Sequence, residues 1–171
     1  RDISATKLAM GSTSVMATCA VGGQAAGTAA AMAVKQGCMP KEFGEKHIQK
    51  LRQELLKNDC YIMGLKNTDE KDLARTASVT ASSQKPGWEA SKVINGITRN
   101  KKGEINCWSS DGIGQNGECL VLTFDAACPV SQVRLTFDPN LSQERCISVS
   151  KAFIDKEPLG VDKELVKDYK V

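Results

Sequence analysis

The sequence predicts an α+β fold in which helices come first and an antiparallel β-sandwich or jelly roll follows. Apolar residues before residue 75 recur at helical spacing, whereas the pattern after Arg75 alternates with a period of two. Turn signals such as Pro86-Gly87 and Asn95-Gly96 separate the alternating runs. Short strands broken by turns in this way are typical of a sandwich.

Two helices account for the first part of the chain. Residues 23–36 are rich in alanine, and Gly37 and Pro40 mark the exit from this helix. A second helix is expected at about 40–58, because apolar residues three and four positions apart form one stripe along it. The members of that stripe are Phe43, His47, Ile48, Leu51 and Leu55.

The second part supplies the strands, which are TASVTAS, ECLVLTF (118–124) and SQVRLTF (131–137), while the terminal KELVKDYKV looks like another strand beginning. Five or six strands are fewer than the seven or eight of a typical sandwich, so we expect the chain to be cut at both ends. The predicted divisions are a helical segment at 1–60, a linker at 61–74 and an incomplete sandwich at 75–171.

Composition excludes some partners and leaves the compartment open. The 171 residues carry a net charge of +3, and aromatic residues make up only 5%, so nucleic acid is not an expected partner. Residues 8–34 carry no charge, but they include four glycines and several polar residues, so we expect no membrane span. Neither an exported nor a cytoplasmic location is excluded.

The seven cysteines form no C-x-x-C pair, so no metal site is expected. They are interpreted mainly as small buried hydrophobic residues. A bridge joining Cys107 to Cys119, or Cys128 to Cys146, stays open for an exported protein.

A glycine pair, Gly22-Gly23, stands where the alanine helix is expected to start. The first N–H groups of a helix lack intrahelical acceptors and carry partial positive charge, and glycine lets a ligand approach the backbone closely. The pattern therefore suggests an anion or a polarised carbonyl at this end. The residues alone favour the alternative of a close-packed core helix.

The stretch LAMGSTSVMATCAVGGQAAGTAAAMA resembles the C-terminal flavin-contacting segment of FAD-dependent oxidoreductases with a glutathione-reductase-like FAD fold, over residues 3–63. The resemblance implies that Val21, Gly22, Gly23 and Gln24 form a flavin-facing turn, that the parent protein binds FAD, and that an upstream FAD domain of the same chain is the partner. Ser14 stands where a basic residue is expected, which leaves the substrate class open. No catalytic residue is assigned.

The sequence GIGQNG at 112–117 has the spacing of a dinucleotide-binding fingerprint, which should follow a strand and open a helix. Here it precedes the strand ECLVLTF, so it is interpreted as a loop. We therefore expect the 171 residues alone to hold no cofactor and to catalyse no turnover.

The second part is similar to the galactose-binding-like, or discoidin (F5/8 type C), sandwich over residues 74–150. The similarity lies in V-T-A-S-S, V-I-N-G, Trp108-Ser109 and the strands CLVLTFD and VRLTFD. It implies loops that bind glycans or other surfaces, with Trp88 as a candidate stacking residue and packing as its alternative. Trp108 is expected in the core, and Asn95 replaces an expected aspartate, which weakens a calcium site.

The leading hypothesis is thus a C-terminal fragment of an FAD-dependent oxidoreductase whose helix start at Gly22-Gly23 completes the flavin pocket. The sandwich would brace the enzyme or tether it, with carbohydrate as one target. The alternatives are a non-catalytic carbohydrate- or surface-binding module with a helical lead-in, and a purely structural domain. His47, the only histidine, is expected to pack against its neighbours.

Overall fold

A computed structural model of the chain describes residues 3–100, 103–140, 149–155 and 165–171. The chain divides into two compact units, Arg1–Asp125 and Ala126–Val171. The first unit begins with three helices and continues with two short 3₁₀ helices and two strands. The bounds are α1 Lys7–Thr13, α2 Met16–Gln36, α3 Pro40–Lys57, the 3₁₀ helices Leu73–Thr76 and Ala90–Ile94, β1 Ser78–Ala81 and β2 Leu120–Thr123.

A tight connection joins α2 and α3 into a helical hairpin. Gly37 ends α2 in the left-handed conformation at φ 62°, and its N–H donates to the Val34 carbonyl at 3.1 Å. The next N–H, of Cys38, donates to Ala33 at 3.2 Å, which satisfies a second terminal carbonyl. Pro40 then occupies the first turn of α3, where no N–H is needed. The predicted exit from the alanine helix is confirmed.

The apolar core of the first unit lies between α2 and α3. Phe43 is 1% exposed, and Leu51 and Leu55 are also buried, so the predicted stripe of α3 faces inwards. Ile48, which was expected on the stripe, is 37% exposed. From α2 the core receives mainly small side chains at helical spacing, namely Ala25, Ala29, Met32 and Ala33. The alanine-rich helix therefore packs closely on α3.

The strands β1 and β2 form a two-stranded antiparallel sheet. Ser78 pairs with Thr123 and Ala81 with Leu120. These are the central parts of the predicted strands TASVTAS and ECLVLTF, so both predictions are confirmed. Little apolar surface is buried in this part of the chain. Among the described residues after Cys60, the buried hydrophobic residues are Ala77 and Ala90.

The predicted sandwich is not confirmed, because the sheet of the described residues has two strands. Residues 131–137 were predicted to be a strand and are not one. Their alternating apolar residues Val133, Leu135 and Phe137 are 53%, 45% and 41% exposed. Alternation favours an extended chain, but a strand also needs a partner. Residues 165–171 likewise carry no strand, contrary to the expectation for KELVKDYKV.

The second unit contains a short helix, α4, at Lys151–Ile154. In the same unit the rings of Phe137 and Tyr169 are in contact. Their centroids lie 5.1 Å apart, and the angle between the ring planes is 52°. Such a tilted pair is a favourable arrangement of two rings.

The thiols of Cys119 and Cys128 are free. The bridge from Cys107 to Cys119 that the sequence left open is therefore not formed. The other bridge left open, from Cys128 to Cys146, involves a residue outside the described part of the chain. Cys60 is buried in the helical core, as expected of a small hydrophobic residue, whereas Cys19 is exposed.

Across the described ranges, no helix has both the length and the apolar character needed to cross a bilayer. The domain divisions at 1–60, 61–74 and 75–171 stay a prediction.

Candidate functional site

The four residues predicted to face a flavin lie together in α2, on consecutive positions of its second and third turns: Val21, Gly22, Gly23 and Gln24. All four are exposed, and Val21 keeps 54% of its surface accessible. A Cβ added at Gly22 or Gly23 would meet no atom within 4 Å. The backbone at the glycine pair is therefore open to close approach by a ligand.

The predicted start of this helix at Gly22-Gly23 is wrong, because α2 begins at Met16. Met16 and Ala17 lie in the first turn, and methionine and alanine are strong helix formers. They propagate the helix through the two glycines despite a cost of about 1 kcal/mol for each glycine. The N–H groups of Gly22 and Gly23 consequently lie inside the helical hydrogen-bond ladder.

The open amide groups of α2 are those of its actual first turn. Val15 precedes the helix and supplies no capping side chain. The first helical hydrogen bond runs from the Cys19 N–H to the Val15 carbonyl at 3.1 Å, so the amides of Met16, Ala17 and Thr18 come before it. These amides carry the positive end of the helix dipole.

FAD, the cofactor implied by the resemblance, fits these residues in one respect and not in another. The exposed turn of Gly22 and Gly23 has room for the face or edge of a planar ring system. The amides of the same glycines do not fit as donors to that ring, because the helix already uses them. A ring that met this turn would therefore make a packing contact there, and not hydrogen bonds to the glycine amides.

Gln24 connects the candidate turn to α3. Its side-chain Nε2 donates to the Asn58 carbonyl, at the end of α3, over 3.5 Å. This bond directs the Gln24 amide towards the neighbouring helix. Its backbone carbonyl accepts from the Thr28 hydroxyl at 2.8 Å.

Trp88, the candidate glycan-stacking residue, is half-buried in the Pro86-Gly87 loop. The main chain of this loop is well held. The Trp88 N–H donates to Lys85 at 3.0 Å, and the Trp88 carbonyl accepts from Ser109 at 3.4 Å. The loop therefore presents the indole from a fixed backbone.

Trp108 is half-buried too, rather than fully enclosed in a core. Its indole N–H donates to the Ser83 carbonyl at 2.9 Å, which ties it to the end of β1. It lies outside the strands, since β2 begins only at Leu120.

The GIGQNG segment is a loop that leads into the strand β2, as predicted, and does not open a helix. Glu118 organises it, a role that sequence reasoning missed. The Glu118 carboxylate accepts from the hydroxyls of Ser82 and Ser83 at 2.5 and 2.6 Å, and from the Gly114 N–H at 3.0 Å. These bonds hold the pKa of Glu118 below its ordinary value of 4.5, with the Ser82 bond as the largest cause.

Asn95 shows why an amide stands in the position where an aspartate was expected. Its Oδ1 accepts from the Ile97 N–H at 2.9 Å, and its Nδ2 donates to Asn106 Oδ1 at 2.6 Å. A carboxylate could accept but could not donate to Asn106. The side chain thus serves a local hydrogen-bond network.

His47 lies half-buried on α3, and its ring centroid is 5.4 Å from that of Phe43. This is the packing position expected from the sequence. In the part of the chain that the structure describes, no three histidine, cysteine or acidic residues gather as a metal site would require.

Two family models match different parts of the chain. Residues 1–55 match the family model of FAD dependent oxidoreductases. Residues 72–162, more than half of the chain, match a domain of unknown function, DUF7402. No curated protein and no solved structure matches the chain. The chain therefore belongs to the DUF7402 family, and an FAD-dependent oxidoreductase part precedes the region that defines it.

Proposed function

We propose that residues 1–55 complete the flavin pocket of an FAD-dependent oxidoreductase, and that α2 contacts the flavin through Val21, Gly22, Gly23 and Gln24. The partner is the remainder of the flavin domain in the same polypeptide. Bound FAD would supply the transfer of a hydride or an electron pair to or from an organic substrate.

The observation that carries this proposal is the exposed glycine turn of α2. One side of α2 is committed to α3 through Ala25, Ala29 and Met32. The turn at Gly22 and Gly23 is exposed, uncharged and free of neighbouring atoms within 4 Å of an added Cβ. Such a surface suits close packing against a flat partner, since no long side chain has to be displaced.

The electrostatics of α2 agree with a partner that becomes more negative. The first turn of the helix contains no acidic residue, and its only basic residue near an end is Lys35, in the last turn. The amides of the first turn therefore present an uncompensated partial positive charge. Gly22 lies six residues, about 9 Å, beyond Met16, so a reduced flavin packed on the glycine turn gains from this charge where its negative edge extends back to the first turn.

The test is FAD binding by the intact polypeptide that carries these residues. We expect it to purify yellow or to take up added FAD, and we expect Gly23→Leu to weaken FAD binding at least about tenfold by blocking close approach. Gly44→Leu is the matched control, because Gly44 is also a helical glycine with no atom within 4 Å of an added Cβ. It should leave the affinity unchanged.

A colourless polypeptide that refuses added FAD would contradict the proposal, as would equal loss of affinity in the two leucine variants. Residues 1–171 alone are expected to show no turnover. Measurable flavin-dependent activity of this chain by itself would show that the pocket needs no further partner.

A second function is favoured by the fixed backbone around Trp88. We propose that the segment after α3 attaches the protein to carbohydrate, with the half-exposed indole stacking on a sugar face. Binding to a glycan array should be lost in Trp88→Ala and kept in Ile113→Ala, whose side chain is 88% exposed on another loop. If the unmodified chain retains no glycan, this second function is excluded.

A further inference from the structure

Helix α3 buries side chains on two faces. Phe43, Leu51 and Leu55 belong to the core shared with α2. Leu56 is also buried, at 8% exposure, but it lies outside that core cluster. Residues 53, 56 and 57 share one face of a helix, since residues three and four apart are neighbours. The face of Leu56 must therefore be covered by something other than α2.

The chain that follows α3 crosses this second face. Gln53 Nε2 donates to the Lys66 carbonyl at 3.2 Å, and Gln53 Oε1 accepts from the Thr68 N–H at 2.8 Å. One side chain thus binds a carbonyl and an amide two residues apart, as a neighbouring β-strand would. One turn further along α3, Lys57 pairs with Asp69 at 3.4 Å. These contacts place residues 66–69 over the face that carries Leu56.

The opposite side of the same segment is bound to the region after β1. The Asn67 N–H donates to the Gly96 carbonyl at 2.8 Å. The two backbones are so close that a Cβ on Gly96 would lie 2.8 Å from the Asn67 carbonyl oxygen. Residues 66–69 therefore lie between α3 and the turn at Gly96, with polar bonds on both sides.

An ion pair also joins the end of α3 directly to the region after β1. Both terminal nitrogens of Arg99 donate to the Asp59 carboxylate, each at 2.9 Å. Asp59 follows the end of α3 and has a left-handed backbone at φ 60°. A paired geometry of this kind fixes orientation as well as distance.

We propose that the end of α3 carries a docking surface for the first-unit part of the DUF7402 match in its own chain. Gln53, Leu56 and Lys57 of α3 form this surface together with Asp59, which follows the helix. Residues 66–69 are the adapter that fills it. The part of the DUF7402 match that lies in the first unit is then held in a fixed orientation against α3, instead of hanging from a flexible linker. The proposal does not depend on flavin binding, since every contact lies within residues 53–99.

The experiment compares Gln53→Ala with Gln49→Ala by native-state amide hydrogen exchange. Gln49 lies one turn earlier on α3 and is exposed, so it controls for helix propensity. The Thr68 amide loses its acceptor in Gln53→Ala whether or not residues 66–69 are docked, so its exchange does not test the proposal. The deciding amide is that of Asn67, whose acceptor Gly96 is untouched.

If the adapter is docked, exchange at Asn67 should rise about tenfold in Gln53→Ala, which corresponds to about 1.4 kcal/mol. It should not change in Gln49→Ala. Trypsin cleavage after Lys66 and Lys71 should accelerate in parallel, while the amides of α2 keep their protection. Equal Asn67 exchange in the two variants would overturn the proposal.

A second variant serves if Gln53→Ala unfolds the whole chain. Arg99→Lys keeps the charge but removes the paired geometry with Asp59, so Asn67 exchange should rise about threefold. Exchange that matches the unmodified protein would overturn the fixed orientation.

Discussion

Replacing Gly96 with alanine probes the closest backbone approach in the first unit. Gly96 has φ 81°, a conformation that disfavours side chains, and an added Cβ would lie 2.8 Å from the carbonyl oxygen of Asn67. Gly64 provides a control with nearly the same conformation, φ 80°, but with no atom within 4 Å of the added Cβ. The two substitutions therefore differ mainly in the close contact.

The expected loss of stability has one part that both substitutions share and another that only Gly96→Ala carries. The left-handed backbone costs a non-glycine residue about 1–2 kcal/mol, and the lower entropy of the unfolded chain offsets about 0.4–1 kcal/mol of this. Gly64→Ala should therefore lower the free energy of unfolding by about 0.5–1 kcal/mol. In Gly96→Ala the Asn67 carbonyl must also move, and the 2.8 Å bond from Asn67 N–H to Gly96 is weakened, which adds about 1 kcal/mol or more.

Urea unfolding monitored by tryptophan fluorescence measures the difference, because Trp88 and Trp108 both lie in the first unit. The midpoint should fall by about 1 M in Gly96→Ala and by at most about 0.5 M in Gly64→Ala, with an unchanged slope. Equal losses, within about 0.3 kcal/mol, would refute the close approach of the two backbones.

Three further predictions concern the core, an organised loop and the thiols. Phe43→Ala should lower the free energy of unfolding by about 3–5 kcal/mol because Phe43 is 1% exposed, whereas His47→Ala, at a half-buried site, should cost clearly less in the same urea assay. Hydrogen bonds from Ser82, Ser83 and Gly114 lower the pKa of Glu118, so its stabilising effect should be present above its ordinary pKa of 4.5 and lost as the pH falls below it. Thermal melts should therefore separate Glu118→Gln from the unmodified protein at neutral pH and bring the two together once the pH has fallen through the lowered pKa of Glu118. The exposed control Glu70→Gln should melt like the unmodified protein at neutral pH. In native protein a maleimide should label Cys19 and Cys119 promptly and Cys60 only as fast as the helical core opens, which peptide mass spectrometry can follow; prompt labelling of Cys60 would contradict the packed hairpin.

Local patterns predicted the helix α3 and the strands β1 and β2, because each has a periodicity that its own sequence displays. The start of α2 was missed, since Val15 offers no capping signal and the glycine pair suggested a break. Alanine-rich surroundings carry a helix through such a pair when α3 buries its face. Residues 131–137 show the opposite error, because a strand was predicted there and the structure has none. Their alternation is clear, yet strand formation depends on a partner that local sequence does not specify.

The docking surface on α3 was beyond sequence reasoning for a similar reason. In the sequence Gln53 looks like an ordinary exposed residue of an amphipathic helix. Its hydrogen-bond partners, the Lys66 carbonyl and the Thr68 N–H, lie 13 and 15 residues further along the chain. The charged residues at 69–72 give no sign of such contacts in the sequence. In the structure Asp69 accepts from the Lys71 N–H and pairs with Lys57, and these contacts lower its pKa although burial opposes them.

The distribution of apolar and polar contacts explains why the docking surface on α3 matters for stability. The described helices enclose a core built around Phe43, whereas the described region after residue 72 buries only Ala77 and Ala90 among hydrophobic residues. That region is organised by polar bonds, such as those of Glu118 and Asn95. Individual hydrogen bonds contribute little net free energy, so a region held mainly by them gains much from being fixed to a packed neighbour. The contact between α3 and residues 66–69 supplies that neighbour for the part of the region that lies in the first unit. Apart from Gln53, its residues lie between the two family matches, which end at residue 55 and begin at residue 72.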